Sequence, residues 1–90
     1  MEKITKNEVK IQWENLKPIE FERILSLYGM KKQDYCSLRS KSKSWWYNVL
    51  IKKHFLTYLD VKILCDEIGN ETFNMLLAKV RDTVEEYGQN

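Results

Sequence analysis

The feature that most constrains this chain lies near its C-terminal end, where Phe73, Leu76, Leu77, Val80, Val84 and Tyr87 recur at three- and four-residue steps. That spacing collects apolar side chains on one face of an α-helix and does not alternate across a strand. The rest of the sequence agrees, because three glycines and one proline in 90 residues leave too few turn formers for a set of short strands. The reading is a single all-α domain over residues 1–90, a bundle of five or six helices with a long amphipathic one at the end. At 43% hydrophobic and 31% charged, the composition excludes a disordered or collagen-like chain. No uninterrupted apolar stretch approaches the roughly 20 residues needed to cross a bilayer, so no membrane partner is expected.

The helices can be placed from their ends. Thr5-Lys6-Asn7-Glu8 has the form of a capping box, which would start a helix carrying Val9, Trp13 and Leu16. Val9, Ile11 and Trp13 also alternate as a strand would, and both readings stay open. Pro18 suits the first turn of a second helix with Phe21, Ile24, Leu25 and Tyr28 inward and Gly29 as its stop. Residues 32–39 read as a short helix with Tyr35, Cys36 and Leu38 inward. Ser42 can cap another over 43–51, with Trp46, Val49 and Leu50 on one face. Thr57 caps a helix carrying Leu59, Val61, Leu64, Cys65 and Ile68, Gly69 ends it, and Asn70 caps the last.

Charge is unevenly spread. Residues 1–29 are neutral and residues 55–90 carry −4, whereas residues 30–54 set seven lysines and arginines against Asp34 alone, a local +6. A basic middle of this kind is a footprint for a polyanion.

The order of helix, glycine turn, short helix, tight turn, short helix and core helix over residues 18–69 resembles the phage-repressor and Cro-like (XRE-type) helix-turn-helix DNA-binding family. Phe21, Ile24, Leu25 and Gly29-Met30 resemble the end of that family's first helix. Lys31-Lys32-Gln33-Asp34-Tyr35-Cys36 resembles its second, with Cys36 small enough for a close helix crossing. Ser42 falls where a polar cap opens the recognition helix, and residues 59–69 resemble the following core helix. Ser40 and Lys41 depart from the glycine and apolar residue usual in the tight turn, and Trp46 is larger than the residue common at its place. Ser40 must therefore accept a strained backbone angle or open the turn differently.

The resemblance implies a small sequence-specific transcriptional regulator of prophage or plasmid type, acting in the cytoplasm on double-stranded DNA. The helix 43–51 would enter the major groove with Trp46 and Val49 turned to the core. Lys43, Ser44, Tyr47 and Asn48 would then face the bases, Asn48 being suited to bond adenine's edge twice. Lys32, Lys41, Ser42, Lys52 and Lys53 would contact phosphates. Trp45 would brace the turn, stack on a partner or cover the N-terminal helix, the last being the expected role.

Residues 70–90 would either pack against the N-terminal helix or form a homodimer through Phe73, Leu77, Val80, Val84 and Tyr87, a dimer suiting palindromic sites. An alternative is a helical protein-interaction module, a mobile-element antagonist of a host protein, using the basic face and the Trp45-Trp46-Tyr47 run. No catalytic set emerges: His54 stands alone, Cys36 and Cys65 read as reduced core residues, and the glycines form no phosphate loop. Neither an enzyme nor a cofactor is expected.

Overall fold

A computed structural model describes residues 13–88, with side chains from 13 to 82. Among these the chain is all-helical. The elements are α1 (Pro18–Tyr28), α2 (Lys32–Leu38), α3 (Lys43–Trp45, continuing as a π-helical turn Trp46–Leu50), α4 (Tyr58–Ile68) and α5 (Asn70–Gly88). The longest helix, α5, packs against both α1 and α4.

Each helix end follows from its residues. The ring of Pro18 disfavours a helical Lys17, which sits extended at φ −91° and donates its N–H to Glu20 Oε1 at 3.0 Å. At the other end of α1, Gly29 takes φ 93°, so that its N–H reaches the carbonyl of Ser26 and that of Met30 the carbonyl of Leu25. The end of α2 closes with the same pair of bonds, Ser40 to Ser37 and Lys41 to Cys36, but around a serine at φ 56°. Of the two outcomes open to Ser40, strain or a different turn, the structure takes strain. Thr57 caps α4 as expected, its Oγ1 accepting from the N–H of Asp60.

Several sequence expectations are corrected. The proposed first helix lies mostly outside the described residues, and its described end is a turn with Asn15 at φ 60°, not helix. Leu16 is nevertheless fully buried and Trp13 packs on the core, so the right residues point inward from irregular backbone. Tyr28, Leu38 and Leu59, expected inside, are exposed, and Asp60 takes the buried position next to Leu59. Gly69, whose carbonyl accepts from the N–H of Phe73, occupies the capping position expected of Asn70.

Val49 is 44% exposed, against the expectation that it faces the core with Trp46. The cause is the π turn, in which the N–H of Ile51 bonds the carbonyl of Trp46 at 2.9 Å. Widening the coil brings residues four apart nearly into line, so Trp46 and Leu50 both go inward and Val49 is swung aside. The oversized Trp46 fits an aromatic centre, 6.3 Å from Phe21 and edge-on to Tyr35 at 6.0 Å. Tyr35 and Phe21 close the set edge to face at 5.0 Å.

For the end of the chain, Phe73, Leu77 and Val80 are buried within the molecule itself. At these three positions the stripe is taken up by packing within the chain, on α1 and α4, so the expected dimer seam does not run through them, and the N-terminal helix expected as its partner lies mostly outside the described residues. Val84 and Tyr87 lie outside the described side chains.

Replacing Ser40 by glycine should relieve the left-handed angle at an exposed site where no packing is lost. The expected gain is about 0.5–1 kcal/mol in a denaturant titration, and any loss would show that the serine is not strained.

Candidate nucleic-acid interface

The placement of α3 depends on a residue the sequence reading passed over. The carboxylate of Asp60, 0% exposed, accepts from Arg39 Nη1 at 2.6 Å, Lys53 Nζ at 2.7 Å, and both the N–H and Oγ1 of Thr57 at 2.9 Å. Its own backbone carbonyl accepts from the hydroxyl of Tyr35 at 2.6 Å, and that hydroxyl accepts from Arg39. One buried acid therefore joins the end of α2, the turn after α3 and the start of α4. The sequence did carry a signal, since Thr57 and Asp60 have capping-box spacing, but nothing in that spacing announces two cationic partners.

Burial alone would push the Asp60 carboxyl up. The bonds from Lys53, Arg39 and Thr57 outweigh it and hold the group below its ordinary value. Burial pushes the thiols up, Cys36 in the α2 crossing and Cys65 to about 12, so neither is a ready nucleophile.

The ring of Trp45 lies against α2: it stacks on Tyr35 at 6.5 Å, and the Arg39 guanidinium lies 5.0 Å over its face, while the N-terminal helix it is expected to cover lies mostly outside the described residues. Trp45 thus shields the cation that binds Asp60.

With Trp46 and Leu50 inward, α3 turns Lys43, Ser44, Tyr47, Asn48 and Val49 to the outside. Asn48 has no hydrogen-bond partner within the described residues, and Lys43 has no carboxylate in ion-pair range. Ser44 meets Ser42 hydroxyl to hydroxyl at 2.9 Å, so Ser42 stands at the cap position without bonding a helix amide. Tyr47 is held from α2, its hydroxyl 3.4 Å from Lys32 Nζ. Lys32 in turn pairs with Glu22 at 2.8 Å, and that bond, followed by the one to Tyr47, raises its pKa.

The five expected phosphate contacts are therefore not equivalent. Lys41, Ser42 and Lys52 are exposed, and among the described residues neither lysine has a carboxylate in ion-pair range. Lys32 is shared with Glu22, and Lys53 is committed to Asp60. Lys53 also holds the fold, because its ammonium has a buried counter-ion in Asp60. Among the described residues no group of His, Cys, Asp and Glu could hold a metal, and no helix is long and apolar enough to cross a membrane.

Replacing Asp60 by asparagine leaves Arg39 and Lys53 without their counter-ion and should cost about 3 kcal/mol in chemical denaturation. Because the folded carboxyl sits below its ordinary 3.8, its contribution is fully present above that pH and is lost as pH falls through the lowered value. The wild-type protein should lose stability faster than Asp60→Asn on acidification below about pH 4, and parallel acid limbs would refute the assignment.

Compared with protein-family models, curated proteins and solved structures, the chain matches none.

Proposed function

We propose that this chain binds double-stranded DNA, with α3 in the major groove and the exposed lysines around it on phosphates, as a small sequence-specific regulator of transcription. One observation carries the reading. The outward face of α3 presents an unpartnered amide, Asn48, beside Tyr47, Ser44 and Lys43, on a helix whose inner face is locked by Trp46, Leu50 and the Asp60 ion pairs. A rigid helix bearing a free amide suits base reading, because side chains held in place lose little freedom on contact. Lys41 and Lys52 extend the positive surface on either side of α3 and supply the sequence-independent part of the affinity.

In this arrangement α2 has two tasks. Its Lys32 steadies the phenol of Tyr47, and its Arg39 reaches the acid that ties down the turn following α3. The short connection between α2 and α3, with Ser40 left-handed, keeps the two helices close. Its likeness in order and spacing to the XRE-type helix-turn-helix adds to the reading.

The test is binding of random and selected duplexes across a salt series. Affinity should fall with a log–log slope of about −0.9 per phosphate neutralised, and Lys41→Ala should weaken all sequences alike while reducing the slope by about one such step. Asn48→Ala should cost about 1–3 kcal/mol on the preferred site and little on random DNA. Equal losses on both DNAs remove the base-reading role. Absence of salt-dependent duplex binding favours instead a protein partner for the Tyr47 and Val49 surface.

A further inference from the structure

A second concave surface lies where the start of α1 faces the turn after α3. It is a groove of about 580 Å³, with Pro18, Ile19 and Ile51 as apolar lining and Lys17, Lys52, Lys53 and His54 as its polar groups. Ile19 is 52% exposed and gives the groove apolar surface. Among the described residues no acidic side chain lines the groove. Asp60 is turned to Lys53 from the buried side, and among the described residues neither Lys17 nor Lys52 has a side-chain ion pair.

Both walls are fixed in place. The N–H of Leu56 donates to the carbonyl of Leu16 at 2.8 Å, tying the chain entering α1 to the segment that follows the turn. Glu20 holds the N–H of Lys17. Across the groove, Lys53 is anchored twice, by its side chain on Asp60 and by its N–H on the carbonyl of Leu50. The cationic rim is therefore borne on backbone that does not need to be ordered by a ligand.

We propose that this groove binds a small organic anion, a carboxylate on an apolar chain, with the chain along Ile19, Pro18 and Ile51 and the carboxylate between Lys17 and Lys52. The volume falls within the range of small-molecule sites, about 300–1,000 Å³, and an apolar lining with a few convergent charges is the usual composition of such sites. A bare inorganic anion would leave Ile19 uncovered, and a neutral hydrocarbon would leave two ammoniums unanswered. The groove shares Lys52 with the surface flanking α3, but the proposal does not rest on the DNA reading.

The test uses the whole chain without DNA, titrated with octanoate while backbone amide shifts are followed by NMR. Octanoate should give saturable changes centred on Lys17, Ile19 and residues 51–54, and acetate and octylammonium at the same concentrations should not. Lys17→Gln and Lys52→Gln replace exposed side chains, and each should weaken octanoate about two- to fivefold, the range of one exposed ion pair. Ile19→Ser should weaken it by a similar factor through lost apolar contact. Equal binding of octylammonium, indifference to both lysine changes, or no saturation by about 10 mM octanoate would each overturn the proposal. Because DNA is absent, none of these outcomes depends on whether α3 binds duplex.

Discussion

A carboxylate with no exposed surface is the constraint on which the rest of this molecule depends. Asp60 is out of water, so it must be matched, and its partners come from three different places in the chain. Arg39 brings the end of α2, Lys53 the turn after α3, and Thr57 the first turn of α4. An apolar contact would tolerate sliding, whereas a pair of charge-assisted bonds of 2.6 and 2.7 Å does not. The relative placement of α2, α3 and α4 is set by hydrogen-bond geometry as much as by packing.

Around that acid the aromatic residues divide the work. Tyr35 bridges the polar and apolar parts, giving its hydroxyl to Asp60 and its ring to Phe21 and Trp46. Trp45 covers Arg39 from outside, which lowers the dielectric around the ion pair and strengthens it. The cationic middle of the sequence is thus only partly a surface: Arg39 and Lys53 serve the interior, Lys32 is shared with Glu22, and Lys31, Lys41, Lys43 and Lys52 remain for solvent or a partner. Counting charge along the sequence overstates what a polyanion would meet.

Much of the fold was legible because apolar periodicity and helix ends are local. Phe21, Ile24, Leu25, Val61, Leu64, Phe73 and Leu77 were placed inward by spacing alone and are buried. Gly29 and Thr57 marked their helix ends through conformations and bonds that depend on a few neighbouring residues. Asp60 was not legible, since its role rests on partners 21 residues before it and 7 before it in the chain. Val49 was misplaced because periodicity assumes a regular α-helix. The contact of Trp45 with Arg39 was not legible because that cation lies at the end of another helix. The outward positions of Lys43, Ser44, Tyr47 and Asn48 follow from Trp46 alone, and for that reason they survive the change of coil.

The π turn also alters the shape of what α3 offers. A wider coil advances less along its axis and turns through a smaller angle for each residue, so Tyr47, Asn48 and Val49 are gathered on a shorter length of helix. Whatever meets this helix encounters a short, broad pad, and its selectivity must be concentrated in a compact footprint rather than extended along a lengthy track.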